Sequence, residues 1–250
     1  MRYLVVIFSL VLFACNEKPK SKSLSADDIV NKSIAISGGE KFGNSKIEFD
    51  FRDKHYLAKR SKGNFILTRA FKIDEDSVFD ILSNEGFERF INADFIKLPD
   101  STKVKYTASV NSVHYFSVLP YGLNDGAVNK KLLRGVTVKG QPYYKINVTF
   151  NEDGGGEDFE DVFIYWINKN TFKVDYLAYS YNEDDGKGLR FRESYNERTT
   201  NGLRFVDYNN YKPKDNTIVL SNLDQLFETD SLILLSKIEL ENISVDLINN

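Results

Sequence analysis

The sequence predicts a mainly β protein: a single domain built as a curled antiparallel sheet or open half-barrel, with two or three helices. Most of the chain alternates apolar and polar residues with a period of two, and turn-forming residues separate the alternating segments. Hydrophobic residues make up 42% of the 250 residues and aromatic residues 14%, which suffices for one sizeable core. This hydrophobic and aromatic content excludes a disordered chain. The net charge of −3 excludes a polybasic protein that binds nucleic acid.

The first fourteen residues have the form of a secretory signal peptide. A basic start precedes an apolar run that is too short for a membrane span of about 20 residues. The only cysteine of the chain, Cys15, follows at once, and Leu12-Phe13-Ala14-Cys15 resembles the lipobox of bacterial lipoproteins. This resemblance implies that residues 1–14 are removed, that Cys15 is acylated, and that residues 15–24 tether the protein to a membrane. A plain signal peptide with an incidental cysteine is the alternative.

The remaining residues, 25–250, are expected to form one domain that begins with a helix over residues 26–37. Ser25 has the position of an N-cap, with a carboxylate at Asp28 three residues further on. Gly38-Gly39 supplies the left-handed stop that ends many helices.

After Gly43 the period changes to two, and the alternating segments predict about ten strands. Successive hairpins join them into a meander, with Asn201-Gly202 as the strongest two-residue turn signal. The clearest strand segments are residues 47–52, 65–73, 144–150, 161–168, 172–181, 188–196, 203–212 and 232–245.

Residues 102–118 can be interpreted as strand or as helix. The β-branched content favours a strand, whereas the spacing of Tyr106, Val110, Val113 and Ser117 fits a helix, and we favour the helix. Strand 162–167 is apolar on both faces and therefore needs cover on both. Either the odd or the even positions face inward, and the other set is expected beneath a helix, most plausibly 102–118.

The start of the domain resembles that of LolA-like periplasmic proteins. The resembling residues are Ala26-Asp27-Asp28-Ile29-Val30 and Ser37-Gly38-Gly39-Glu40-Lys41-Phe42. In that family a helix ending in Gly-Gly precedes the first strand of an open barrel. The resemblance implies a concave face that holds a lipid or a lipoprotein acyl chain. Together with the lipobox, it predicts a lipid-anchored protein of the cell envelope, and we favour the outer membrane with the domain facing the periplasm; the inner membrane and the outer surface are the alternatives.

A longer stretch, about residues 100–245, resembles a family of uncharacterised lipoproteins from Bacteroidota, flavobacterial in type. The resembling motifs are His114-Tyr115-Phe116, residues 119–125, Phe159-Glu160-Asp161, residues 165–168, residues 176–181 and Phe205-Val206-Asp207-Tyr208. Some relatives in that family carry a deoxyribose-phosphate aldolase label.

The sequence predicts no enzyme and no cofactor. His55 lies among charges and His114 in an aromatic run, and neither has a second His or Cys at a spacing that suits metal binding. An aldolase needs a lysine whose pKa is lowered by burial or by a neighbouring cation. Lys145 and Lys173 fall at alternating positions that we expect to face solvent, and hairpins replace the βα units of the usual aldolase barrel.

Two features remain as candidate binding sites. The acidic glycine loop at residues 151–161 offers Asp153, Asp158 and Asp161 as weak calcium ligands, but its spacing is not that of an EF-hand, and we expect a solvated loop without metal. The surplus of aromatic residues either fills an ordinary core or lines an apolar cavity for an amphiphile. The candidate cavity residues are Phe163, Ile164, Tyr165, Trp166, Tyr176, Ala178 and Tyr179.

These observations leave two functions open. In the first, the protein is a membrane-tethered binding module that holds a lipid or acyl chain in its half-barrel. In the second, it is a structural or interaction lipoprotein of the cell envelope with a solid core.

Overall fold

The computed structural model describes residues 23–156, 159–183 and 186–248. The predicted signal peptide, the lipobox with Cys15 and the candidate ligand Asp158 lie outside the described residues. Within these ranges the fold is mainly β, as predicted: fourteen strands form two antiparallel sheets of seven strands each, accompanied by three α-helices. The sheets do not close into a barrel.

The predicted first helix is confirmed as α1 (Ala26–Ser37). Its N-terminus has a reciprocal capping box: the Asp28 backbone N–H donates to Ser25 Oγ at 3.1 Å, and the Ser25 backbone N–H donates to Asp28 Oδ2 at 2.9 Å. Gly38 ends the helix with φ of 133°, and a Cβ at this position would lie 2.5 Å from Leu203 Cδ2. Glycine is therefore required here both by the backbone conformation and by the close approach of the second sheet.

The first sheet is a meander closed at one edge by the last strand of the chain. Its strands, in spatial order, are β14 (Glu241–Leu247), β1 (Ser45–Phe51), β2 (Lys54–Ser61), β3 (Asn64–Ile73), β4 (Asp76–Ser83), β5 (Gly86–Ile91) and β6 (Asp94–Phe95). A 3₁₀ turn, Gly39–Asn44, connects α1 to β1.

The segment that could be strand or helix is a helix, α2 (Asp100–Ser117), as we favoured. It packs on the inner face of β3, β4 and β5. Val110 and His114 are its most buried side chains, and the Arg69 Nη1 on β3 donates to Ser109 Oγ at 2.7 Å. The first sheet and α2 therefore share one apolar core. No helix of the described residues is long and apolar enough to span a membrane.

The second sheet is also a meander, and α3 (Leu223–Glu228) packs on its outer face. Its strands, in spatial order, are β13 (Ile233–Ile238), β12 (Leu203–Lys212), β11 (Gly186–Thr200), β10 (Val174–Glu183), β9 (Val162–Asn168), β8 (Gln141–Phe150) and β7 (Val128–Val138). The prediction of a single strand at 232–245 is wrong, because the chain leaves the second sheet after β13 and enters the first sheet as β14.

Strand β9 is covered on both faces, as its composition requires. Phe163, Tyr165 and Ile167 pack in one core with α1. Ile164 and Trp166 on the other face lie beneath α3. The expectation that 102–118 covers this second face is therefore wrong: α2 packs mainly on the first sheet, and the short α3 provides the cover.

Candidate functional site: a cavity between the two sheets

A cavity of about 900 Å³ lies between the inner faces of the two sheets, with α2 along one wall. Its volume falls within the range of about 300–1,000 Å³ that is typical of small-molecule sites. Apolar and aromatic side chains from both sheets and from α2 form much of the lining: Phe51, Phe65, Leu82, Val113, Phe116, Phe150, Phe163, Val206 and Ile238. An open groove of about 1110 Å³ also lies at one end of the first sheet, beside His55, Phe79 and Phe90, but it has less enclosure for an apolar ligand.

The strand register aligns the residues of the cavity wall on the second sheet. Phe163 on β9 stands directly opposite Tyr179 on β10, and Leu177 on β10 stands directly opposite Arg192 on β11. Residues opposite each other in neighbouring strands share a face, so these side chains all point towards α2. Phe163 and Tyr179 stack with ring centroids 5.3 Å apart, and Phe116 of α2 packs at 5.3 Å from Tyr179.

Two tyrosine hydroxyls lie beside this aromatic wall. Tyr115 of α2 and Tyr165 of β9 share a hydrogen bond of 2.9 Å between their hydroxyl groups. Burial raises the pKa of both hydroxyls well above the usual value, so both stay neutral in the folded protein. This pair fixes the end of α2 against the second sheet without placing a charge there.

Arg192 places a cation in the same wall. Its guanidinium lies 3.8 Å from the ring centroid of Phe116, and its Nη2 donates to the Tyr179 hydroxyl at 2.8 Å. The side chain is almost fully buried, and no described carboxylate forms an ion pair with it. Opposite it on β12, Asn210 has a buried side-chain oxygen without a described hydrogen-bond donor.

The structure divides the seven predicted cavity residues between the two faces of the second sheet. Phe163 and Tyr179 line the cavity, and Tyr165 lies just beneath its wall. The other four are fully packed on the opposite face beneath α3: Ile164, Trp166, Tyr176 and Ala178. Because successive residues of a strand point to opposite faces, one aromatic stretch cannot place all its members in one cavity.

The sequence interpretation missed the polar residues of this wall. Arg190 and Arg192 alternate with Leu189 and Phe191 on β11, a pattern that normally indicates a solvated face. Here that face turns towards α2 instead. The alternation therefore predicts which residues share a face of the sheet, but it does not predict what covers that face.

The expectation that Lys145 faces solvent is wrong. Its side chain is almost fully buried beneath α3, where Nζ donates to Asp224 Oδ2 at 2.9 Å and to the Ser221 carbonyl oxygen. Trp166 Nε1 donates to the same carboxylate oxygen at 3.1 Å. Lys173 does lie near the surface, paired with Glu197 at 2.5 Å. Neither lysine lines the cavity.

The histidines and the acidic loop form no common site in the described ranges. His55 is exposed on β2 and 2.8 Å from Asp50, whereas His114 is buried in α2 with Nε2 2.9 Å from the Thr68 carbonyl oxygen. Asp161 lines the cavity and Asp153 is exposed. Among the described residues, no group of three or more His, Cys, Asp or Glu side chains is arranged to hold a metal ion.

The fold and the cavity together define a mainly β protein with a partly open, ligand-sized cavity between two sheets. The chain belongs to DUF6503, a family of unknown function, whose model matches residues 2–240. No curated protein matches it.

The structure is similar to several solved structures at low sequence identity. The LolA superfamily protein NE2245 from Nitrosomonas europaea is 12% identical, with 91% of this chain and 95% of that chain covered and a TM-score of 0.48. A DUF1329 family protein from Desulfovibrio piger is 10% identical, with 91% and 96% covered and a TM-score of 0.44. A domain from Vibrio parahaemolyticus, provisionally described as an outer membrane lipoprotein-sorting protein, is 8% identical, with 89% and 92% covered and a TM-score of 0.36.

Proposed function

We propose that this protein is a non-catalytic binding module that holds an amphiphile in the cavity between its two sheets. The observation that carries the proposal is the cavity itself: about 900 Å³, with aromatic and aliphatic side chains from both sheets and α2 in its lining and polar side chains between them. A cavity that offers both apolar and polar lining suits a ligand that has one long hydrocarbon part and one polar end. The described lining of the cavity includes no histidine and no cysteine.

The hydrophobic effect gives this proposal a quantitative test. Each methylene that the cavity buries contributes about 0.8 kcal/mol, so two added carbons tighten binding roughly 15-fold while they still fit inside. We expect the affinities of saturated fatty acids to rise with chain length and then level off once the cavity is full. A flat series would contradict burial of the chain.

We further propose that Cys15 carries the lipid anchor and that residues 15–24 tether the domain to a membrane of the cell envelope. The support is the sequence alone: a lone cysteine directly after a short apolar run, followed by a polar segment rich in lysine and serine. Several acyl chains on one cysteine would hold the protein durably at the membrane. An outer-membrane anchor with the domain facing the periplasm would place the cavity where envelope lipids and lipoproteins pass.

A matched pair of substitutions on α2 tests the cavity. Ser112 lines the cavity, and among the described residues its hydroxyl has one hydrogen bond, to the Ser109 carbonyl oxygen at 3.3 Å, so Ser112→Trp fills space at little structural cost. Ser101 is exposed on the first turn of the same helix, which makes Ser101→Trp the control. We expect Ser112→Trp to abolish binding of a fluorescent fatty acid and Ser101→Trp to retain it, with circular dichroism unchanged in both.

Lipid mass spectrometry on the full-length protein, extracted from membranes under native conditions, identifies the ligand class. Co-purified lipid that is lost in Ser112→Trp supports the binding module. If the parent protein carries no lipid and binds no probe, the interaction lipoprotein takes its place. That alternative has its own support on the outer face of the first sheet, where Phe79 and Phe95 are 40% and 60% exposed.

A further inference from the structure

We propose that the amphiphile carries an anionic head group, a carboxylate or a phosphate, and that Arg192 binds it. The inference rests on the proposed function and names the chemistry of the ligand's polar end. It follows from a difference between Arg192 and the other described cations that are more than nine-tenths buried.

Five cationic side chains in the described ranges are more than nine-tenths buried, and four of them have a carboxylate partner. Arg69 and Arg89 share Asp80, Lys145 pairs with Asp224, and Arg204 pairs with Glu197. Arg192, at 8% exposure, has none among the described residues. A buried charge without a counter-charge is unfavourable, because the interior replaces little of the hydration that the charge has lost. An anion arriving in the cavity would supply the missing partner.

The guanidinium is oriented so that such an anion can reach it. Phe116 covers one flat side at 3.8 Å, which leaves the edges of the guanidinium, where its N–H groups point, for hydrogen bonds. One of the five N–H groups donates to the Tyr179 hydroxyl at 2.8 Å, and Nε is buried without an acceptor. Two-oxygen anions such as carboxylate and phosphate match the fork geometry of arginine.

The surroundings of Arg192 form a polar row in the cavity wall, next to aromatic side chains. Asn210 and Ser236 follow it directly across β12 and β13 and line the cavity with it. Asn210 Nδ2 donates to Ser236 Oγ at 3.2 Å, and its oxygen has no described donor. The aromatic wall of Phe116, Phe163 and Phe150 adjoins this row, so a hydrocarbon chain attached to the anion has an apolar path to follow.

None of the other charged residues in the described cavity lining forms an ion pair with Arg192. Arg190 lies one row away, over the ring of Tyr181 at 5.0 Å, and donates to the Leu189 carbonyl oxygen at 2.9 Å. Asp125 is partly buried, and burial raises the pKa of its carboxyl while Arg60 and Lys130 lower it. Asp161 and Arg52 complete the charges of the described lining, in which three arginines face two carboxylates. The field in the cavity therefore also favours an anion.

Ligand pairs that share one chain and differ in charge test the inference. The full-length protein, extracted from membranes and stripped of lipid, is titrated with palmitate, hexadecyl phosphate and the neutral 1-hexadecanol. Acetate and inorganic phosphate test the head group alone. The variants are Arg192→Gln and, as the matched control from the same strand and the same cavity wall, Arg190→Gln.

We expect the parent protein to bind at least one of the two anionic ligands roughly 10- to 150-fold more tightly than 1-hexadecanol, the range for hydrogen bonds to charged groups. Arg192→Gln should remove this preference, and an unchanged circular dichroism spectrum shows that the variant is folded. Arg190→Gln should keep most of the preference. The tighter of palmitate and hexadecyl phosphate identifies the head group.

Each contrary result points to a different step. Equal affinity of the parent for the anionic and neutral ligands overturns this inference and leaves the binding module intact. If Arg192→Gln and Arg190→Gln lose the preference for anionic ligands equally, that preference comes from the overall positive charge of the cavity, and the specific site at Arg192 is overturned. Free acetate or phosphate binding as tightly as the long-chain anions would overturn the amphiphile. If no long-chain ligand binds the parent protein at all, the proposed function itself fails.

Discussion

Replacing Asp80 by asparagine should destabilise the wall of the cavity more than any other single exchange of a carboxylate for an amide in the first sheet. Asp80 is fully buried on the inner face of β4. Its Oδ1 accepts from Arg89 Nε at 2.6 Å, and its Oδ2 accepts from Arg69 Nε at 3.0 Å, Arg69 Nη2 at 2.6 Å and Arg89 Nη2 at 2.9 Å. One carboxylate therefore serves as counter-charge for two buried arginines.

The same cluster holds α2 on the sheet. Arg69 Nη1 donates to Ser109 Oγ at 2.7 Å, and the Arg89 guanidinium lies 3.7 Å from the ring centroid of Tyr106. Asp80→Asn keeps the shape but removes the charge and one of the two acceptors, which leaves both arginines buried without a counter-ion. Breaking a buried ion pair in this way costs about 3–5 kcal/mol, and we expect a loss of this size in the free energy of unfolding.

Urea unfolding followed by two probes measures this loss. Trp166, the only tryptophan of the chain, reports on the second sheet beneath α3, whereas far-ultraviolet circular dichroism reports on both sheets and the helices. Asp94→Asn on the exposed β6 is the control and should change stability by less than about 0.5 kcal/mol. A loss below about 1 kcal/mol in Asp80→Asn would refute the argument that the arginines depend on this carboxylate.

Three further predictions concern other parts of the molecule. Burial lowers the pKa of His114 from 6.5 to about 3, so between these pH values the unfolded chain binds more protons than the folded protein. The free energy of unfolding should therefore fall as the pH drops below 6.5, by about 2–3 kcal/mol at pH 4.5. Urea titrations of His114→Phe should lack this pH-dependent loss. Ala178→Phe should overpack the core beneath α3, lowering the free energy of unfolding by about 1–3 kcal/mol in urea titrations while fatty-acid binding by the folded fraction is retained. Cys15→Ala should abolish incorporation of labelled palmitate without changing the circular dichroism spectrum of the chain, and continued labelling would disprove the lipid anchor.

Local signals were sufficient where the structure depends on local chemistry. The capping box at Ser25 and Asp28 predicts the start of α1 correctly. Asn201-Gly202 forms the turn between β11 and β12 with φ of 48° and 81°, the left-handed conformation that this dipeptide favours. The two apolar faces of β9 correctly required cover on both sides. In each case the structure follows from interactions or preferences of residues that are close together in the sequence.

The sequence could not show which alternating strands have their polar face covered. Arg69, Arg89, Lys145 and Arg192 occupy positions that look solvated in the pattern, and all four are buried because α2 or α3 lies over them. α3 has only six residues, too few for a clear helical period, so the sequence did not predict a helix over Lys145 and Trp166. The cavity is a consequence of the same tertiary packing, and only its aromatic wall was accessible from sequence.

The two faces of the second sheet differ in a way that bears on function. Beneath α3 the core is solid, and its buried cation, Lys145, is neutralised by Asp224. On the cavity face the buried cation, Arg192, has no described counter-charge, and space remains beside it. If the cavity face served stability alone, an apolar residue in place of Arg192 would serve better, since it would avoid desolvating a charge. Arg192→Gln should therefore not lower the free energy of unfolding of the ligand-free protein, whereas Arg204→Gln, which leaves Glu197 with Lys173 alone, should lower it. That contrast would show that the buried Arg192 does not stabilise the ligand-free protein, as expected if its charge stabilises the complex with an anionic amphiphile.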